Sequence, residues 1–336
     1  MIRAGIVGLG WWGRHIAACL DRSDKFKLVR GIDTAAEGRA ELSAKLGIPI
    51  TADLDDALED DSVQAVVLAT PHSLHEEQIL RCAQAGKHVF AEKPLTLTHA
   101  GAKRAQQACD SAGVILGVGH ERRFEPAFAE LKRLVDGREL GTLMHVEANF
   151  SHDLLAKLKP GDWRASVRES PIPALSAMAI HLTDALLYLC GPIREVFAYS
   201  TRRLGNWGAG DVLSLQLEFE SGLTASLSTI LVTPMYVRFQ VFGSKAWAEA
   251  LSDVHPGQPG VTRLTVSRTG EARAVHELAY VDTVKINFEA FADAVAGIAP
   301  YPISAEEKLG NIAVMEAVIH SAHTGRPAPV GRSTDR

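Results

Sequence analysis

Residues 2–13 of the chain read IRAGIVGLGWWG. A short apolar run thus leads directly into the pattern Gly-x-Gly-x-x-Gly, and residues with helical spacing follow it. In this context Gly8 permits a tight turn, Gly10 lets the main chain approach a pyrophosphate, and Gly13 lets the helix pack closely on the sheet. Unpaired N–H groups and the positive end of the helix favour phosphate charge. The stretch therefore predicts a Rossmann fold that binds a dinucleotide.

Asp33 stands twenty residues beyond Gly13, at the end of the next predicted strand. A carboxylate at this place accepts hydrogen bonds from the adenosine ribose, and it would repel the 2′-phosphate of NADP. We therefore expect NAD as the cofactor. Arg39 is close enough in sequence to pair with a 2′-phosphate, so NADP stays open as the alternative.

Alternating apolar runs and helical segments between residues 2 and 119 predict βαβ units and a parallel sheet. Beyond Gly119 most segments alternate with period two, which is typical of antiparallel strands. We thus predict an α/β chain with an N-terminal Rossmann parallel sheet (residues 1–122), then a C-terminal α+β domain with a large, mostly antiparallel sheet (residues 123–336). Its predicted strands are 142–150, 195–201, 212–219, 223–230, 237–242, 263–267 and 274–278.

Composition narrows the class of protein. The net charge is −5 and basic residues are scattered, which disfavours a nucleic-acid partner. The four cysteines form no Cys-x-x-Cys pair, so no metal site is expected. We expect the cysteines to be free thiols in a reducing cytoplasm. We find no signal peptide and no apolar run of the ~20 residues that a membrane span needs, so no membrane partner is expected. The chain is predicted to be cytoplasmic.

Several motifs in one order resemble the glucose-fructose oxidoreductase, inositol dehydrogenase and MocA family. After the glycine turn come Thr70-Pro71-His72-Ser73-Leu74-His75, which looks like its Thr-Pro-x-x-x-His turn, and its signature Glu92-Lys93-Pro94. Trp163-Arg164 and His181-x-x-Asp184 follow. The resemblance implies an NAD(P)-dependent oxidoreductase in which the peptide bond before Pro94 is cis.

Lys93 and His181 are the predicted catalytic residues. Lys93 follows the fifth strand, and ligands of parallel sheets bind beyond the carboxyl ends of the strands. A lysine there can exchange a proton with the reacting oxygen while hydride moves. Imidazole titrates near neutrality, so His181 can assist it if both residues face one cleft between the domains. Asp184, three residues further along the same helix, is interpreted as a structural partner.

The other predicted site residues fall into two groups. The expected cofactor contacts, including those that the resemblance implies, are Gly8, Gly10, Trp11, Trp12, Gly13, Asp33, Thr70, Pro71, His75, Glu92 and Lys93. The expected substrate contacts are Arg123, Trp163, Arg164 and His181. The arginines suggest a carboxylated substrate, with ordinary ion pairs as the competing interpretation.

One position departs from the family pattern. Family members that act on sugars and inositols usually carry Asp-x-x-x-His, whereas this chain has Ala177 four residues before His181.

We expect hydride transfer between nicotinamide and a CH–OH or C=O group of a small polar substrate: sugar-like, polyol, hydroxy acid or dihydrodiol. The alternatives are a non-catalytic cofactor sensor on the same fold, since fold alone does not decide function, and a transferase or hydrolase with a redox relay. A homodimer or homotetramer is expected.

Overall fold

The computed structural model describes residues 1–156, 162–204 and 210–331. The chain divides into two compact units, Met1–His120 with Val284–Lys308, and Glu121–Thr283 with Leu309–Arg336. The last five residues of the predicted second domain, 332–336, lie outside the described ranges. No helix within those ranges is both long and apolar enough to cross a membrane.

The first unit is built on a six-stranded sheet in which all paired neighbours run parallel. Its strands are β1 (Ile2–Val7), β2 (Phe26–Ile32), β3 (Ile50–Thr51), β4 (Ala65–Leu68), β5 (His88–Ala91) and β6 (Leu116–Val118), in the order β3-β2-β1-β4-β5-β6. Helices α1 (Trp11–Asp21), α2 (Arg39–Leu46), α3 (Asp55–Leu58), α4 (His75–Gln84) and α5 (His99–Ala112) connect them. The predicted Rossmann sheet is thus confirmed.

The second unit contains a nine-stranded sheet. Its first elements are α6 (Pro126–Asp136), β7 (Leu143–Ser151), α7 (Ile180–Cys190), β8 (Ile193–Thr201), β9 (Val212–Phe219), β10 (Thr224–Ile230) and β11 (Tyr236–Gly243). Then follow β12 (Ala246–Ser252), β13 (Val261–Arg268), β14 (Ala274–Ala279), α8 (Thr283–Val295), α9 (Ala305–Thr324) and β15 (Ala328–Pro329). The order is β14-β13-β12-β11-β7-β10-β9-β8-β15, and every pair except β7–β10 is antiparallel. The mostly antiparallel sheet is confirmed.

Strand β9 shows why this sheet has two different faces. Leu213, Leu215 and Leu217 are buried, while Ser214 and Gln216 between them are exposed. Successive side chains of a strand point to opposite faces, so one face packs against helices and the other carries polar side chains.

Strand β12 was not among the predicted strands. It pairs with both β11 and β13, and its alanines at 246, 248 and 250 are buried. Alanine and glutamate are poor strand formers, and here tertiary pairing overrides their local preference. The sequence pattern therefore missed it.

The predicted domains 1–122 and 123–336 differ from the structural units in two places: residues 121–122 belong to the second unit, and Val284–Lys308 belongs to the first. Val284–Lys308 belongs to the first unit because the aromatic rings of α8 complete its core. The ring of Phe90 stacks on Phe288 at 4.0 Å between centroids and meets Phe291 edge-on at 5.5 Å. The chain thus returns to its N-terminal unit late in the sequence.

Candidate active site

The glycine turn has the geometry that its spacing predicts. Gly8 adopts φ +86°, and a Cβ there would lie 2.6 Å from the carbonyl oxygen of Ala69. A Cβ at Gly13 would lie 1.8 Å from the carbonyl oxygen of Gly8. By contrast, no atom lies within 4 Å of a Cβ built on Gly10, which caps α1. The main chain at the start of α1 is thus open to a ligand, as a pyrophosphate requires.

Asp33 is fixed against this turn. Its Oδ2 accepts a hydrogen bond from the Leu9 N–H at 2.7 Å, and its Oδ1 accepts one from the Ala35 N–H at 2.8 Å. A carboxylate can accept several hydrogen bonds, so capacity is left for ribose hydroxyls. Arg39, the residue that could admit NADP, donates to the Thr34 and Ala35 carbonyl oxygens at 3.3 Å each. These residues fit a dinucleotide, with the negative charge of Asp33 where the 2′-position is expected.

The two tryptophans of the turn differ in exposure. Trp11 is 67% exposed, whereas Trp12 is half-buried and stacks on His15 with ring centroids 4.8 Å apart. Trp11 is therefore accessible to a ligand, while Trp12 belongs partly to the packing of α1.

His75 is a fully buried predicted cofactor contact. Its side chain is 0% exposed, its Nδ1 lies 2.9 Å from the Pro94 carbonyl oxygen, and its Nε2 lies 3.1 Å from that of Thr70. Its contact with a cofactor stays a prediction. His75 ties the Thr70-Pro71 turn to the turn that carries Lys93.

The turn after β5 carries the candidate proton-transfer lysine. The peptide bond between Lys93 and Pro94 is cis, as the resemblance implies. Lys93 is half-buried, and Glu92 beside it is buried at 6% exposure. Burial raises the pKa of Glu92, whereas the Trp12 indole and the Lys93 charge act in the opposite direction. The structure thus keeps a lysine and a carboxyl group together at the carboxyl end of a central strand.

In the second unit, His181 lies in the first turn of α7, directly after a π-helical turn at Leu175–Ala179. It is 7% exposed, and its Nδ1 lies 3.9 Å from Oε1 of Glu121, so the two form an ion pair only when the imidazole is protonated. Ala177 is half-buried within the π-helical turn. Such turns are rare and often occur at functional sites. The position that usually carries an aspartate is therefore filled by a methyl group.

Phe150, at the end of β7, is the centre of a cluster that the sequence did not reveal. The distances to its ring centroid are 4.6 Å from the Arg122 guanidinium and 5.2, 5.8 and 6.2 Å from the rings of His152, His255 and His181. His255 follows β12, more than a hundred residues away from Phe150 in sequence. No local spacing signals such a contact.

The two additional histidines of the cluster are held in similar ways. The Nδ1 of His152 accepts from the Leu154 N–H at 3.3 Å, and the Nδ1 of His255 accepts from the Gly257 N–H at 3.0 Å. In a neutral ring with Nδ1 as acceptor, Nε2 carries the hydrogen. Both rings therefore carry their hydrogen on Nε2, and their centroids lie 5.5 Å apart beside Phe150.

Arg123, a predicted substrate contact, is engaged in the interior. It forms a two-point ion pair with Asp184, with N–O distances of 2.7 and 2.8 Å, and the two side chains are 4% and 2% exposed. The Asp184 carboxylate is thus its partner, which agrees with the structural role inferred for Asp184. The competing interpretation, an ordinary ion pair, holds for Arg123.

Trp163 and Arg164 are the more accessible pair. The Arg164 guanidinium lies 4.2 Å from the Trp163 ring, and its Nη1 is 3.6 Å from Oδ1 of Asp162. Burial lowers the pKa of Arg164, and the Asp162 carboxylate opposes that change. A planar cation stacked on an aromatic ring can bind a carboxylate at two points.

The comparisons with known proteins agree on one family. Residues 2–120 match a model described as an oxidoreductase family with an NAD-binding Rossmann fold, and residues 128–249 match the GFO/IDH/MocA C-terminal domain. Scyllo-inositol 2-dehydrogenase (NAD(+)) of Bacillus subtilis is 31% identical over 73% of this chain and 72% of its own length. 4-Carboxy-2-hydroxymuconate-6-semialdehyde dehydrogenase of a Sphingobium species is 32% identical over 68% and 71%.

A solved structure from Desulfitobacterium hafniense, described as an NADPH-dependent oxidoreductase, is similar over the whole chain. It has a TM-score of 0.88 and 27% identity, and the match covers 98% of this chain and 97% of the other. Both units of the present fold thus have counterparts in one known protein.

Proposed function

This chain belongs to the GFO/IDH/MocA family of oxidoreductases with an NAD-binding Rossmann fold, and we propose that it interconverts an alcohol and a carbonyl compound with Lys93 as the main proton-transfer group. The bound dinucleotide supplies or accepts the hydride. The observation that carries the proposal is the position of Lys93, directly after β5 and half-buried beside Glu92.

Lys93 and His181 have separate parts in this proposal. The Lys93 ammonium donates a proton to the carbonyl oxygen during reduction, and the neutral amine accepts it during oxidation. In the second unit, His181, whose Nδ1 lies 3.9 Å from Oε1 of Glu121, is proposed as a second proton-exchanging group. His75 holds the Lys93 turn through the Pro94 carbonyl oxygen and is a positioning residue.

Within the range of small polar substrates, we propose one that carries a carboxylate. The Arg164 guanidinium stacked on Trp163 suits a carboxylate, and the methyl side chain of Ala177 supplies no acceptor for a hydroxyl group. The name of the Sphingobium relative also describes a carboxylated substrate. Hydroxy acids, uronic acids and their carbonyl counterparts are the first compounds to test.

The deciding experiment is a screen of such acids beside neutral sugars, polyols and dihydrodiols, with NAD and NADP, followed by NAD(P)H absorbance. Turnover that is lost in Lys93→Ala supports the proposal. Tight dinucleotide binding without turnover of any compound class would instead favour a cofactor sensor.

We further propose a cytoplasmic homodimer or homotetramer that pairs through the polar face of the nine-stranded sheet. Ser214 and Gln216 lie exposed on that face. Light scattering of the protein and of a variant with a lysine at position 216 tests this assembly.

A further inference from the structure

Arg122 is a buried cation whose hydrogen-bonding capacity is only partly used. It is 4% exposed, its Nε donates to Oε1 of Glu125 at 2.6 Å, and its Nη2 donates to Oε2 of Glu125 at 3.4 Å. Its Nη1 is also buried, and within the described ranges no atom accepts a hydrogen bond from it. An unpaired buried N–H costs folding free energy, so this nitrogen lacks an acceptor that a ligand can supply.

The adjacent Arg123 shows a more complete pairing. Its Nη2 and Nε donate to the two carboxylate oxygens of buried Asp184 at 2.7 and 2.8 Å. Two short parallel bonds of this kind hold a guanidinium strongly. The two bonds of Arg122 are unequal in length and leave its charge less well paired. The ion pair with Glu125 alone therefore does not account for a buried arginine at position 122.

Two aromatic rings contact the Arg122 guanidinium. Its central carbon lies 4.6 Å from the ring centroid of Phe150 and 5.5 Å from that of Phe128. Such rings attract a cation, but they do not replace a carboxylate oxygen as a hydrogen-bond acceptor. His255 lies beside the same ring, with its centroid 5.8 Å from that of Phe150. Arg122 and His255 thus belong to one cluster around Phe150.

A cavity of about 360 Å³ in the second unit adjoins this cluster, and its size suits a small molecule. Its wall contains Glu125, the ion-pair partner of Arg122, as well as His255. Helix α6 begins at this wall with Pro126, and its N-cap residue Glu125 makes no capping hydrogen bond through its side chain. The positive end of α6 therefore also favours an anion here. Other parts of the wall are apolar and include Val254, Leu278 and Val281.

We propose that this cavity, called the α6 cavity below, binds the carboxylate of a small acid, and that Arg122 is the residue that recognises it. The acid enters beside Glu125, and its carboxylate accepts a charge-assisted hydrogen bond from Nη1 of Arg122. The apolar part of the wall suits an acid with an apolar or planar skeleton. The inference rests on the proposed function only in that this acid is taken to be the substrate. It adds Arg122 to Arg164 as a carboxylate-binding residue, which favours dicarboxylic acids among the compounds to test.

The test measures binding without turnover. Benzoate is titrated into the protein in the presence of NAD, with benzamide as the uncharged molecule of the same shape, and saturation-transfer NMR follows each ligand. Wild type should bind benzoate more tightly than benzamide. Arg122→Gln should weaken benzoate binding at least about tenfold and leave benzamide unchanged, because a hydrogen bond between charged groups contributes about that much affinity. Arg133→Gln, which removes an exposed guanidinium from the same helix, is the matched control and should change neither.

A second pair of variants tests the cavity without removing a buried charge. Ala279→Trp places a large ring at an exposed position of β14 that lines the α6 cavity. Val275→Trp places the same ring on the same side of β14, at a position that is not part of the cavity wall. Ala279→Trp should weaken benzoate binding several-fold, and Val275→Trp should not. Unchanged benzoate binding in folded Arg122→Gln, or in Ala279→Trp where Arg122→Gln does not fold, overturns the proposal.

This inference and the proposed function can fail separately. If benzoate binding is lost in Arg164→Gln but kept in Arg122→Gln, the carboxylate binds at Arg164, and the α6 cavity is refuted while the proposed function stands. If Arg122→Gln weakens benzoate binding but Lys93→Ala keeps full turnover, the α6 cavity stands and the proposed role of Lys93 fails. Wild type that does not prefer benzoate to benzamide also contradicts the inference.

Discussion

The two units satisfy their buried polar groups in different ways. In the first unit they bond mainly to the main chain: Asp33 to the amides of Leu9 and Ala35, and His75 to the carbonyl oxygens of Thr70 and Pro94. In the second unit two buried arginines pair with carboxylate side chains, although buried Asp211 accepts from main-chain N–H groups. Arg123 pairs with Asp184, and Arg122 with Glu125 at 2.6 Å.

This difference decides whether a sequence motif predicts the role of a residue. A side chain that bonds to main-chain atoms of its own turn has the same role in every protein that contains the turn. The short motifs of the first unit therefore predict the roles of their residues. A pair such as Arg123 and Asp184 joins residues sixty-one positions apart, and neither residue alone indicates whether it faces a ligand or its partner. We therefore expect function to depend most on the first unit, and stability on the pairs of the second.

The largest expected effect is at Lys93. Lys93→Ala should lower kcat by at least about 10²-fold with nearly unchanged dinucleotide affinity, since proton-transfer groups contribute ~10²–10⁴ in rate. His181→Ala should cost less. The double variant should lose less than the product of the two single losses if both residues act on one oxygen. Steady-state rates and cofactor titrations measure these effects. Near-full turnover of Lys93→Ala would show that Lys93 is not the main proton-transfer group.

Arg123 tests the second unit. Arg123→Leu leaves the buried Asp184 carboxylate without its partner and should lower the free energy of unfolding by about 3–5 kcal/mol. The control is Arg133→Leu, whose ion pair with Glu130 is exposed and should contribute much less to the free energy of unfolding. Urea unfolding measures both. A raised KM for the substrate with unchanged stability would show that Arg123 binds substrate after all.

Much of the fold was predictable because hydrophobic spacing reports which face of an element is buried. Local pairs are equally predictable: Ser304 and Glu307 before and within α9 have the spacing of a capping box, and both reciprocal hydrogen bonds are present. The return of α8 to the first unit was not predictable, since it depends on the contact of Phe288 with Phe90. Long-range packing of this kind has no sequence period.

In the candidate site, too, local features were predictable from the sequence and contacts between distant segments were not. The roles of Gly8, Gly13 and Asp33 follow from steric and charge requirements within one βαβ unit. The π-helical turn before His181 and the approach of His255 to Phe150 arise from packing between distant segments. The positive charge of Arg123 indicated a ligand-binding residue, and its ion pair with buried Asp184 could not be read from the sequence.

Cofactor choice is expected to respond at Asp33. NAD should bind roughly tenfold or more tightly than NADP, a difference of about 1.4 kcal/mol, because the carboxylate repels a 2′-phosphate. Asp33→Asn should narrow this ratio, whereas Asp24→Asn, an exposed position before β2, should not. Tryptophan fluorescence titrations measure both affinities. Equal binding in wild type would point to Arg39 as a phosphate ligand.

The smallest expected effect concerns Lys308, a buried cation of the first unit that bonds to the main chain. Its Nζ donates to the Leu116 carbonyl oxygen at 2.7 Å, and burial lowers its pKa from 10.5 to about 8. Between these two pKa values the unfolded chain binds more protons than the folded chain, so this residue's contribution to the free energy of unfolding increases with pH.

The measurement compares wild type with Lys308→Met in urea at several pH values. Wild type should gain about 1 kcal/mol relative to the variant between about pH 7 and 9. Burial also raises the pKa of Cys82 to about 12, which lowers the stability of both proteins equally at alkaline pH. The pKa of Cys109 is raised by burial but also responds to the charge of Lys308, so the comparison stays at or below about pH 9, where both thiols are still protonated in the folded chain. Parallel curves would mean that Lys308 keeps an ordinary pKa. A main-chain carbonyl oxygen would then stabilise the buried charge of Lys308 as well as carboxylates stabilise the buried arginines of the second unit. The two units would then not differ in how strongly they stabilise buried cations.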